Sequence, residues 1–136
     1  MKIIEAIREY FNGCDLLDED ARINVDYIGD EIVEYAIYSE PIEPFYKKYV
    51  DGGGLKQFGF TFTTVNYYSA ELLQQLENSN FFEDFQNWIE ENNKNNILPK
   101  VKGAIRIDIL SNGFLLDANA EQAKYQIQLK LIYKED

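Results

Sequence analysis

The sequence predicts an α+β fold: one two-layer domain over residues 1–136, with helices packed on one face of a mainly antiparallel or mixed sheet of about five strands. Three stretches carry that expectation. In residues 55–65, Phe58, Phe60 and Phe62 fall at every second position, alternating with Gln57, Gly59, Thr61 and Thr63. Successive side chains of a strand point to opposite faces, so the three phenylalanines form one apolar row. In residues 125–133, Tyr125, Ile127, Leu129, Leu131 and Tyr133 alternate with Gln126, Gln128 and Lys130, which predicts a long strand with one buried side. Its length also makes it a candidate edge for pairing with a neighbouring chain. In residues 79–91, Phe81, Phe85, Trp88 and Ile89 recur at helical spacing, with Phe82 widening the stripe. This aromatic helix is expected to lie on the three phenylalanines.

The remaining elements follow in chain order. Ile3, Ile4, Ile7, Tyr10 and Phe11 predict an amphipathic helix over residues 2–12, stopped at Gly13. Residues 15–20 carry four acids, but neither their spacing nor a turn glycine matches an EF-hand, so they read as a solvated loop. Ile23, Val25 and Tyr27 alternate with polar residues, as do Val33, Tyr35 and Ile37 around the Gly29-Asp30 turn, which predicts a β-hairpin. Pro41 and Pro44 break regularity, and a loop follows to Gly54. Ser69 is suited to cap a short helix through Leu72, Leu73 and Leu76, with Asn78-Ser79-Asn80 separating it from the aromatic one. Asn92 to Asn96 are helix-poor. Ile105, Ile107 and Ile109 predict a further strand, Ser111-Asn112-Gly113 a turn, and residues 115–121 a connection of unassigned backbone.

Composition narrows the chemistry. A chain of 136 residues that is 46% hydrophobic and 15% aromatic can bury a real core. Its apolar runs are too short to span a bilayer, and charges interrupt the N-terminus, so neither a membrane segment nor a signal peptide is expected. The single cysteine, Cys14, fits a reducing cytoplasm. Histidine is absent, which removes Ser-His-Asp and Cys-His catalysis and histidine-based zinc sites within the chain. No cofactor or metal is expected. Net charge is −11, and residues 1–43 hold Lys2, Arg8 and Arg22 against twelve acids, a balance of −9. With no basic run, the chain is not expected to grip DNA or anionic lipid.

Two groups of residues stand out. Phe45, Tyr46 and Tyr49 flank Lys47 and Lys48 ahead of Asp51, and these rings either fold back on the core or form a contact surface. The glycines at 52–54 open into a strand, not a helix, so they read as a flexible turn and not a phosphate cradle. Asp26, Asp30, Glu31 and Glu34 lie on or near the wet face of the expected hairpin. Paired carboxylates do acid–base work only where burial or repulsion separates their pKa values, so these read as a solvated face.

Tyr49-Val-Asp-Gly-Gly-Gly, Glu77-Asn-Ser-Asn-Phe-Phe-Glu-Asp-Phe-Gln-Asn-Trp-Ile, and the run from Gly113 to Tyr133 together form a pattern, joined by Asn24-Val-Asp-Tyr-Ile-Gly. The chain resembles the minor capsid, tail-terminator-like proteins of phages and prophages of Gram-positive bacteria, over nearly its whole length. The resemblance implies a structural, non-enzymatic virion protein, assembled in the host cytoplasm. It implies a hexameric ring capping a finished tail tube, with the tube protein and the head-connector or neck protein as partners. DNA would pass through the bore without specific binding. The hairpin acids Asp26, Asp30, Glu31 and Glu34 would then face the bore, and residues 45–51 would contact the tube or the adjacent subunit. Another neck component is the alternative, and a small α+β enzyme of unknown substrate the more distant one.

Overall fold

The computed structural model describes residues 2–17, 23–26, 34–48, 53–67, 72–118 and 122–135. They form an α+β fold of two helices on a seven-stranded mixed sheet. Helix α1 (Ile3–Asn12) buries Ala6, Ile7 and Phe11, and its chain leaves at Gly13, whose N–H donates to the Tyr10 carbonyl. Strand β4 (Gly54–Tyr67) and strand β7 (Gln122–Glu135) are each 14 residues long and pair antiparallel along their whole length. Phe58, Phe60 and Phe62 stand opposite Leu131, Leu129 and Ile127, as the two alternating patterns require. Phe60, Phe62 and Leu131 are fully buried.

Strand β1 (Ile23–Val25) pairs with β2 (Glu34–Glu40) in parallel, Ile23 opposite Tyr35, so the expected hairpin is overturned. Alternation assigns faces and is silent on direction, since a parallel and an antiparallel pair bury the same side chains. Asp26 ends β1 at φ 55, with its N–H on the Ile37 carbonyl and its Oδ1 accepting from the Ser39 N–H at 3.2 Å. Tyr27, the Gly29-Asp30 turn and Val33 lie outside the described residues, as does Ser69.

Beyond Glu40, the chain stays on the same edge of β4. Strand β2 pairs with Gly59 to Val65, and β3 (Phe45–Lys48) pairs with Gly54 to Lys56, so the expected loop is a strand as far as Lys48. Between them Ile42 packs over Gly59, its side-chain carbons 3.0 Å from where a Cβ would sit. Strands β5 (Ala104–Ile109) and β6 (Phe114–Ala118) repeat this arrangement on the far edge of β7. These two interrupted edges raise the strand count from about five to seven. They also place β7 in the interior of the sheet, so it is not an available edge. A bulge between Ala104 and Arg106 turns Ile105 out of line, leaving it 37% exposed while Ile107 is buried.

Helix α2 (Leu72–Lys94) is continuous for 23 residues, where two helices and a helix-poor tail were expected. Asn78-Ser79-Asn80 caps a helix only where the chain turns away, and here the aromatic stripe holds it on course. Phe82, Phe85 and Ile89 are buried, and Phe81 and Trp88 are partly buried against the same core. Phe85 reaches Phe62 at 4.7 Å between ring centroids, and Phe11 reaches Phe60 and Phe62 at 6.0 and 5.2 Å. Both helices therefore cover the face carrying Tyr35, Ile37, the phenylalanines of β4 and the aliphatics of β7. Near its end, Asn93 donates Nδ2 to the Ile107 carbonyl at 2.8 Å and accepts the Ile107 N–H at 3.0 Å. That amide acts as a one-residue strand partner and blocks the outer edge of β5. No helix among the described residues is long and apolar enough to cross a membrane.

Candidate functional site

Strand β3 brings Tyr46 of the first expected group to the sheet face that no described helix covers. A bulge separates Phe45 from Lys47, and at that bulge the Tyr46 ring is 48% exposed. Lys130 Nζ lies 4.9 Å from its centroid and the Arg106 guanidinium 5.5 Å away, both at cation–π range. Lys130 Nζ also donates to Gln57 Oε1 at 3.1 Å, and Arg106 Nε donates to Asp108 Oδ1 at 2.7 Å. Asp108 is the main cause that raises the pKa of Arg106, followed by a smaller opposing cost of burial. Phe45 sits under Lys56, 5.3 Å from ring centroid to Nζ. Lys47 is exposed; the side chain of Lys48 and all of Tyr49 and Asp51 lie outside the described residues.

Arg106, Lys130 and Gln57 escape sequence reasoning because only register brings them together. Lys130 stands opposite Gly59, and Arg106 opposite Ile132 two residues further along β7. The available signal was parity alone: Lys130 belongs to the polar row of β7, and Arg106 alternates with Ile105 and Ile107. Of the two described rings, Phe45 is half-buried beneath Lys56 and Tyr46 is exposed.

The acidic group is less completely described. Asp26 is exposed and its carboxylate holds the Ser39 amide. Glu34 starts β2 opposite Val65, with its side chain outside the description, and Asp30 and Glu31 fall wholly outside it. These residues are not brought together as a cluster among the described ones.

A second feature lies at the other layer. A surface cavity of about 390 Å³ opens between α1 and the chain leaving α2, lined by Ala6, Tyr10, Ile97, Leu98 and Pro99. Exposed Glu9 and Lys100 give it a charged side. Tyr10 accepts from Asn92 Nδ2 at 3.2 Å, and burial pushes its phenol up to about 12, a rise the Asn92 bond partly offsets. Burial likewise pushes the Cys14 thiol up to about 11, so it is a core side chain and not a reactive one at neutral pH.

These two groups give alkaline sensitivity. Each has a folded pKa above its unfolded value, so the stability linked to them is intact below about pH 9 and is lost as pH rises through 11 and 12. Urea midpoints measured from pH 8 to 12 should fall across that window, and Tyr10→Phe should flatten the upper part. A midpoint independent of pH up to 12 would contradict both assignments.

No family model matches the chain, and no curated protein matches its sequence.

Proposed function

We propose that this chain is a structural subunit of a phage or prophage tail, a ring that caps the completed tube, stops its growth and presents a docking surface for the head connector. The observation that carries the reading is the cluster around Tyr46 on the sheet face opposite the two helices. Tyr46, Arg106 and Lys130 are laid out there across β3, β5 and β7 on a surface suited to adhesion. Aromatic and arginine side chains dominate contact energies at protein interfaces, and here both kinds are held ready by rigid strands. The whole-chain resemblance to tail-terminator-like proteins and the two-layer α+β fold support the same reading.

The charge fits a conduit. Subunits at −11 each, with the excess in the first 43 residues, would repel phosphate from a bore lined by that region. Asp26, Asp30, Glu31 and Glu34 are assigned to the bore or its rim. A ring structure with these four on the outer perimeter would remove that placement.

The deciding experiment is electron microscopy of tails assembled with and without the gene product. Unregulated, overlong tubes are expected in its absence, and tails of normal length would defeat the proposal. A Tyr46→Ser, Tyr49→Ser double variant tests the surface. It should stay folded and fail to restore tail length.

A further inference from the structure

We infer that the basic cluster around Tyr46 takes the acidic outer side of α2 from a second copy of this chain, so that self-association runs front to back. Charge is unevenly placed on the fold. Strands β3, β4, β5 and β7 carry seven of the 13 basic residues against only Asp108 and Glu135, a balance of +5 in a chain of −11. Helix α2 carries five acids against Lys94, a balance of −4. Composition hides this segregation, because the seven are scattered from Lys47 to Lys134 and only strand pairing gathers them. Lys130 and Arg106 lie against the exposed ring of Tyr46, and exposed Lys47 follows it on β3. Asp108 neutralises part of Arg106, through Nε at 2.7 Å and Nη2 at 3.4 Å. Lys130 spends its hydrogen bond on the neutral amide of Gln57, so its charge is not offset there.

Charge and size together favour a second copy as the occupant. Glu83, Asp84, Glu90 and Glu91 are all exposed, and they fall in two pairs seven residues apart. They therefore share the side of α2 turned away from buried Phe82, Phe85 and Ile89. The stripe covers two turns, about 10 Å. The cluster reaches from β3 across β4 and β7 to β5, three strand spacings or about 14 Å. One acidic stripe thus fits within one cluster. A nucleic acid strand would instead run on past the cluster, onto the rest of a chain whose charge repels phosphate. The α2 of the same chain cannot reach, because it packs on the phenylalanine face of the sheet and Tyr46 stands on the other. Complementary surfaces on opposite faces of one molecule make a heterologous contact, which closes into a ring or runs on as a filament. This deepens the ring reading by naming a subunit contact, and it rests on that reading for closure.

Sedimentation of the full chain tests it, up to about 1 mM, where a contact of millimolar Kd is about half saturated. At about 0.1 M salt the Debye length is about 10 Å, which screens whole copies from one another and spares charges in contact. The wild type should self-associate there and dissociate toward about 1 M salt, where that length is about 3 Å. A carbodiimide should then join Lys130 or Lys47 to a carboxylate of α2, a link between faces that no single molecule brings together. Reversing the cluster (Lys47→Glu with Lys130→Glu) or the stripe (Glu83→Lys with Glu90→Lys) should weaken association at least about tenfold. An equimolar mixture of the two variants should regain it, since each reversed surface meets its complement. A wild type that stays monomeric overturns the inference, even where polyglutamate or single-stranded DNA added as a probe binds the cluster. So does association that strengthens with salt, which would mark an apolar contact, and so does a mixture no better than its components. Circular dichroism checks folding, and where a variant unfolds the wild-type crosslink decides, its absence counting against the contact. Tail length in the absence of the gene product tests the ring reading separately, so overlong tails with a monomeric wild type would remove this contact alone.

Discussion

Replacing Phe11 with alanine should cost about 3–5 kcal/mol, the range for truncating a buried aromatic side chain. Phe11 is fully buried and meets five other rings. It stacks on Phe85 of α2 at 5.4 Å and reaches Phe62 of β4 at 5.2 Å, so one side chain joins both helices to the sheet. Helix α1 has only 10 residues, too few to stand alone in water, and depends on that packing. Ile7 is buried as well, and the polar anchors of the helix are Arg8 Nε on the Ile23 carbonyl at 2.7 Å and Tyr10 with Asn92. Urea unfolding should show a lower midpoint at nearly unchanged slope, with altered Trp88 fluorescence because the Phe11 ring lies 5.9 Å from it. A loss below about 1 kcal/mol would mean α1 is held by something other than Phe11.

The parts of the fold legible in the sequence are those with an apolar row on one face and a polar row on the other. Helix α1, β4 and β7 each do this, and the contrast writes a period into the residues, although on β4 Thr61 and Thr63 of the polar row are buried as well. Strands β3 and β6 do not. Each is short, paired on one side within the sheet and bulged, between Phe45 and Lys47 and between Leu115 and Asp117, so Phe-Tyr-Lys-Lys and Phe-Leu-Leu-Asp show no alternation. The direction of β1 is invisible for a different reason, since side-chain parity is the same in either sense. Asn78-Ser79-Asn80 carries real capping potential, but tertiary packing of Phe81, Phe82 and Phe85 outweighs it. In the site, Tyr46 was legible as an aromatic among lysines near prolines. Its neighbours Arg106 and Lys130 were not, because they are placed by hydrogen-bond register across β4, β7 and β5.

Replacing Gly103 with alanine should cost about 2–4 kcal/mol, combining the penalty for a left-handed L-residue with that for overpacking. Gly103 sits at φ 79, a conformation that favours glycine. A Cβ there would collide with the carbonyl oxygen of Lys134, and that oxygen belongs to backbone that cannot rotate away. The same two residues are also tied by the Lys134 N–H on the Gly103 carbonyl at 2.8 Å, so relieving the collision strains or breaks the bond that starts the β5–β7 pair. The expected signature is local as well as global: faster hydrogen exchange at the Lys134 amide, beyond that explained by the lower midpoint. Gly59→Ala provides the comparison. The nearest atoms its Cβ would meet are those of the Ile42 side chain at 3.0 Å, and Ile42 is a 36% exposed side chain and not backbone. Gly59→Ala should therefore cost clearly less than Gly103→Ala. An equal or reversed order would show that Ile42 is pinned over the sheet, and that the close approach of Gly103 to Lys134 relaxes without breaking the strand pair.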